Sequence, residues 1–331
     1  MELQEGCGTE RRMAVDIARV LAAAAVVWIH VVDCEASHAY LALCRFAVPF
    51  FTCVAVYFVL QKATTIENPS FRRYCMQRAV RLYIPFLLWA LFYLGVRLVK
   101  HAVAGAGSPI TLSPAVLLNG TAHHLWFLPF IGLVSIGMFV LGRALVGVHT
   151  RQRRWLGLVL LGSGTAAALA PDPVDIRAVE APITYFADHA IDTLPAVFFG
   201  AAVFCLGPFR GDMPWARTCL LATALLCAAW EFRNGGNSVA PHVAAASLLL
   251  VSLTQPNRRW MVPVSQWANV AFIVYLVHVV FVEGLNLIER HFGGVDSLSA
   301  DVSVWALALV ASALTAKLML RIRSFRWAFP E

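Results

Sequence analysis

The chain has 331 residues, of which 60% are hydrophobic and 14% charged, and its mean hydropathy is +0.70. A soluble domain carries about a quarter charged residues, so this composition excludes a water-soluble globule and leaves lipid as the main solvent. The net charge of +7 gathers between the apolar runs, which excludes a phosphate-binding nucleic-acid face and predicts membrane orientation instead.

A helix needs about 20 apolar residues to cross a bilayer. Runs at 13–33, 42–61, 80–99, 125–147, 155–170, 190–206, 214–231, 239–254, 268–288 and 302–320 predict an all-α integral membrane bundle. The expectation is one domain over residues 1–331 with about ten transmembrane helices, both termini cytoplasmic, and residues 1–12 as a short tail. No cleavage site follows the first apolar run, so that run reads as a retained anchor. Basic residues alternate accordingly. Arg11, Arg12, Lys62, Arg72, Arg73, Arg143, Arg151 and Arg258 fall on one side, whereas the opposite loops hold Arg45, Arg97 and Lys100 and most of the acids. That bias predicts a multi-pass protein of a bacterial cytoplasmic membrane.

The first helix, DIARVLAAAAVVWIHVVD at residues 16–33, carries Asp16, Arg19, His30 and Asp33. Ionisable groups inside a membrane are costly and point to function. Arg19 and His30 are separated by eleven positions, ~16 Å along the axis and within about 20° of one direction. One groove can therefore present a guanidinium at its cytoplasmic end and an imidazole at its outer end. Asp33 lies one turn from His30, where it either orients the ring or is solvated.

The second helix, PFFTCVAVYFVL at 49–60, is apolar. Before the third comes FRRYCMQRAVRLYIPFLLW, residues 71–89. Arg78 and Arg81, three apart, are expected on one helical face at the cytoplasmic boundary, while Arg72 and Arg73 read as anchors. HHLWFLP, residues 123–129, opens the fourth helix, with its two histidines, His124 among them, and Trp126 either in an interfacial belt or lining a site. VYLVH, residues 274–278, places Tyr275 and His278 inside the ninth span, where an interhelical hydrogen bond is the plainer role of the imidazole. Glu283 follows near the outer end.

Eight cysteines are scattered without a CxxC pair, so neither a zinc nor a redox site is expected. Cys34 and Cys44 fall near the outer face, where a disulfide is open to them, although inert thiols suit the scatter better. There is no phosphate loop, HExxH pair or GxSxG elbow. The expectation is no metal and no bound cofactor.

Taken in order, D-x-x-R and R-x10-H in helix one, RxxRLxxP before helix three, HLWFLP at helix four and a late Tyr-Leu-x-His resemble the acyltransferase family 3 membrane proteins. The resemblance covers essentially the whole chain. It implies a membrane-bound O-acyltransferase moving an acyl group, acetyl foremost, from cytoplasmic acyl-CoA to a hydroxyl of an extracytoplasmic or lipid-linked glycan. By position it carries over Asp16, Arg19, His30, Arg78, Arg81, His124, Trp126, Tyr275 and His278. His30 is then expected in catalysis, with Asp33 beside it by helical spacing. Arg19, Arg78 and Arg81 are expected to hold acyl-CoA, as their phosphate chemistry suits, while Asp16, His124, Trp126, Tyr275 and His278 are expected to line the site, joined by Glu283 as an ionisable group in a span. His30 then serves either as general base or as the group that takes the acyl. The chain departs from the family at helix two, where Ala55 and Val56 stand in the places of a common Ser-Gly before Tyr57. Many relatives add a C-terminal extracytoplasmic domain, and none is expected here. A transporter without covalent chemistry, or an acyltransferase for a small acceptor, are the alternatives; the oligomeric state is open.

Overall fold

A computed structural model describes residues 12–32, 34–65, 70–104, 113–170, 184–207, 214–234, 239–292 and 297–322. Those residues are predominantly helical, with no strand among them. The chain begins with α1 (Met13–Val31), α2 (Glu35–Cys44), α3 (Ala47–Thr65) and α4 (Phe71–Arg78). A π-helical stretch, Ala79–Tyr83, joins α4 to α5 (Ile84–Ala104), and α6 (Val116–Asn119) is a single turn. Then come α7 (Phe127–Ala144), α8 (Thr150–Leu169), α9 (Thr184–Leu206), α10 (Pro214–Asn234) and α11 (Val239–Thr254). A short stretch of helical turns containing α12 (Val262–Ser265) precedes α13 (Ala271–His291) and α14 (Leu298–Arg321).

Every expected span falls on a helix. By length and apolarity, seven helical segments among the described residues are fit to cross a membrane, and α11 is a shorter apolar helix. In one of the seven, α2 and α3 run on as a single segment, Glu35–Thr65, so the second span starts earlier than residue 42. The third likewise extends back to Phe71. The fourth starts slightly later than expected. Residues 123–126 form turns and α7 begins only at Phe127, so the paired histidines sit on a loop rather than on the helix.

α1 lies at the centre, packed against α13, α3, α11 and α14. Its wall is built from small side chains, Ala18, Ala22, Ala25 and Val26, which let neighbouring backbones come close. α3 packs on α7 and α9. At the α3–α9 crossing a Cβ on Gly200 would lie 2.8 Å from Cys53 Cα and 3.1 Å from Val56 Cβ. Thus the small residue at this crossing is on α9, opposite Val56, where the family more often places a glycine on helix two. Cys53 Sγ donates to the Ala196 carbonyl 3.2 Å away across the same contact. Gly200→Ala is expected to cost about 1–3 kcal/mol, because the clash is with backbone and no rotamer relieves it. A thermal melt in detergent should show the loss, and an unchanged melting temperature would refute the close approach.

The seven described cysteines are all free thiols, Cys34 and Cys44 included, so no disulfide joins that pair.

Candidate functional site

The loop before α7 is built by three devices. Gly120 ends α6 with φ +73°, a left-handed conformation that favours glycine. Leu125 is fully buried as an apolar plug beneath the loop. Tyrosines then pin the backbone from two sides: Tyr185 Oη donates to the His123 carbonyl at 2.7 Å, and Tyr275 Oη donates to the His124 carbonyl. Tyr93 Oη donates to the Leu276 carbonyl at 2.8 Å and its ring meets His124 edge-on, 5.2 Å between centroids. A Cβ on Gly120 would fall 2.7 Å from Leu125 Cβ. Gly120→Ala should therefore displace the histidine loop, at about 1–3 kcal/mol of stability. The melting temperature and the pocket's ligand affinity should fall together. Retention of both would contradict this account of the turn.

Four imidazoles converge there. His30 Nδ1 lies 2.9 Å from His123 Nε2, one nitrogen donating to the other. The His30 ring centroid is 5.0 Å from that of His278 and 6.1 Å from that of His124, and His124 and His278 are 5.2 Å apart. His278 is fully buried, and its Nδ1 lies 3.1 Å and 2.8 Å from the carbonyls of Val274 and Tyr275. A carbonyl only accepts, so Nδ1 carries the proton and Nε2 offers a lone pair. That Nε2 has no protein partner among the described residues. His124, outside the spans, is held well below the usual histidine range by burial and then by the imidazoles of His278 and His30. No three side chains of metal-ligating type are placed among the described residues to hold an ion.

Two cavities flank this cluster. One, of about 560 Å³, is lined by His30, His123, His124, Trp126, His189 and His242, with Arg45 at its wall. We call it the imidazole cavity. The other, of about 440 Å³, opens at the opposite end of α1 and is lined by Arg12, Asp16, Arg19, Lys62 and Arg78. This basic cavity also takes in Ala55, the position where the family more often carries serine. Phe127 and Tyr275 line both cavities, so those two rings stand between them. Arg19 Nη1 lies 3.5 Å from Asp16 Oδ1, and Asp16 is nearly buried. Arg78 is steadied by its neighbour: Nε donates to Tyr74 Oη at 2.9 Å, and the Tyr74 ring stacks on Phe139 with centroids 4.0 Å apart.

The structure thus gathers His30, His124, Trp126 and Tyr275 around one cavity, with His278 buried behind His30 and His124, and Asp16, Arg19 and Arg78 around the other. It separates two expected members. Arg81 does not line the basic cavity; it faces a neighbouring groove with Arg72 and Arg73. The reason is the π-helical turn from Ala79 to Tyr83, whose wider turn changes the angle between residues three apart. Glu283 lines neither cavity; its Oε2 pairs with Lys100 Nζ at 2.5 Å, both side chains half-exposed. Asp33 lies outside the described residues. Sequence reasoning did not single out His123, Arg45, Tyr185, His189 or His242. The adjacent His-His pair was a signal for the first of these. The others come from distant segments with no local motif.

A family model for the acyltransferase domain matches residues 13–321. Among curated proteins, a serine/alanine racemase of Enterococcus gallinarum is 28% identical across 60% of this chain and 29% of its own length. An amino-acid racemase of Enterococcus faecalis is 21% identical across 95% of this chain and 46% of its own length. The chain spans less than half the length of these relatives, so most of each lies outside the matched stretch. No solved structure matches significantly.

Proposed function

The chain belongs to the family of membrane acyltransferase domains, and from that premise we propose that it moves an acyl group, acetyl foremost, from cytoplasmic acyl-CoA to a hydroxyl presented at the opposite face. The observation that carries this reading is the pair of cavities on either side of Phe127 and Tyr275, one lined by cations and the other by imidazoles. The basic end of α1 with Arg12, Lys62 and Arg78 is taken as cytoplasmic by the positive-inside rule.

Acyl-CoA is anionic at its nucleotide end. Arg19 and Arg78 keep their charge when partly desolvated and grip phosphate with a forked set of donors. Arg12 and Lys62 add charge at the same mouth. The pantetheine arm then runs along α1 toward Tyr275 and carries the thioester to the imidazole cluster, ~16 Å from Arg19 by helical rise. His30 takes the proton of the acceptor hydroxyl as its oxygen attacks the thioester carbon. The tetrahedral intermediate collapses, the C–S bond breaks, and the proton held by His30 leaves with the CoA thiolate as free thiol. His123, hydrogen-bonded to His30 Nδ1, fixes the ring so that Nε2 meets the substrate.

The acceptor is proposed to be an extracytoplasmic or lipid-linked glycan. A small polar acceptor such as an amino acid is the second reading, favoured by the names of the two curated relatives. Racemase activity itself is not proposed, because most of each relative lies outside the matched stretch. The test is release of free CoA, read with a thiol reagent, from purified protein in lipid nanodiscs given acetyl-CoA and a panel of glycan and amino-acid acceptors. Acceptor-dependent release supports the transferase. No release with any acceptor, alongside transport of acceptor in vesicles, would favour a transporter.

A further inference from the structure

Arg45 stands in the turn between α2 and α3, on the wall of the imidazole cavity. Its Nη1 donates to Glu231 Oε1 at 2.8 Å, across 186 residues of sequence. The two ends of this pair differ sharply in exposure: the Arg45 side chain is 44% exposed and that of Glu231 1%. Glu231 Oε2 has no partner among the described residues. A carboxylate buried this deeply costs several kcal/mol of desolvation, which a single hydrogen bond repays poorly, so a merely structural role for the pair is uneconomical. What the pair achieves is orientation. Glu231 holds the guanidinium by one nitrogen, and no second side chain is paired with its remaining N–H groups among the described residues.

A guanidinium presented in this way is a planar fork of donors that matches a carboxylate with two parallel hydrogen bonds. Phosphate would use the same fork, but the cavity's charge favours a single negative charge. Among the described residues Arg45 is the one Lys or Arg side chain on the wall, and Asp192 also lines it. A dianion would meet, among these residues, one cation already paired with Glu231 and one opposing carboxylate. Their remaining polar lining is imidazole, hydroxyl and the Trp126 indole.

We propose that the imidazole cavity selects an acceptor bearing a carboxylate, which Arg45 binds and Glu231, as a positioning residue, aims. As a statement about the acceptor it rests on the acyl-transfer reading; as a statement about a binding site it does not. The test therefore measures binding without turnover. Saturation-transfer NMR on the full chain in nanodiscs compares methyl glucuronide, methyl glucoside and glucose 6-phosphate. The glucuronide should bind at least tenfold tighter than the other two. Arg45→Gln alone strands the buried Glu231, so the deciding variant is Arg45→Gln with Glu231→Gln, which replaces the ion pair by a neutral one. That variant should keep its melting temperature and lose the tenfold preference. Equal binding of glucuronide and glucoside, no binding of glucuronide, tighter binding of the phosphate, or a preference that survives the double substitution would each overturn the proposal. If the carboxylate preference holds while acceptor-dependent CoA release is absent, the binding site stands and the transferase reading falls. If CoA release occurs and no preference exists, the reverse is true.

Discussion

Exchanging His30 for alanine is expected to lower acyl transfer by roughly 10²–10⁴-fold, the range that a positioned general base contributes. The protein should remain folded, for reasons visible in the helix. His30 is half-buried at the last turn of α1, and its recorded hydrogen bond runs to one side chain, His123. The packing of α1 rests instead on Val15, Ala18, Ala22, Val26 and Val27, all buried. His123→Ala should cost less, about tenfold, since it removes the group that orients the base but leaves the base in place. Initial rates of CoA release, with size-exclusion profiles as the folding control, would measure both. A His30→Ala protein within threefold of wild type would remove His30 from the chemistry.

The second large effect separates two arginines that one motif puts together. Arg78→Gln should raise the KM for acyl-CoA about 10–100-fold, because a hydrogen bond to a charged group is worth about 1.5–3 kcal/mol and each 1.4 kcal/mol is tenfold. Arg81→Gln should leave that KM within twofold. Arg78 is on the basic cavity and is braced by Tyr74, whereas the π-helical turn sends Arg81 to the groove shared with Arg72 and Arg73. The wild-type KM should also rise with salt, and that slope should flatten in Arg78→Gln but not in Arg81→Gln. Equal effects of the two substitutions would show that both arginines face the donor and that the π turn does not divide them.

These contrasts mark how far the sequence could be read. Helix positions were legible because apolar runs of bilayer length repeat along the chain, whereas the single groove expected from the spacing of Arg19 and His30 is replaced by two cavities, one lined by each residue. Arg81 was misplaced because the same reasoning assumes an α-helix, and nothing in AVRLY announces a wider turn. The start of α7 was read slightly early, since Leu125 and Trp126 continue the apolar run, while the turn is set by Gly120 and by tyrosines far away in sequence. Glu283 was read as part of the site because it is an ionisable group in a membrane span, but its partner is Lys100 on α5, a contact no spacing rule supplies. Arg45 with Glu231, and Tyr185 with the His123 carbonyl, are likewise long-range pairings that only tertiary packing reveals. His123 was within reach, as the neighbour of a residue already singled out.

The central claim is that donor and acceptor meet from opposite faces, through the cavities on either side of Phe127 and Tyr275. Sealed vesicles with the basic end of α1 facing outward would test it, with acetyl-CoA supplied outside and the acceptor trapped inside. Acylated acceptor accumulating in the lumen, with CoA released outside, is the predicted result. Product formed only when donor and acceptor share one compartment would contradict the account.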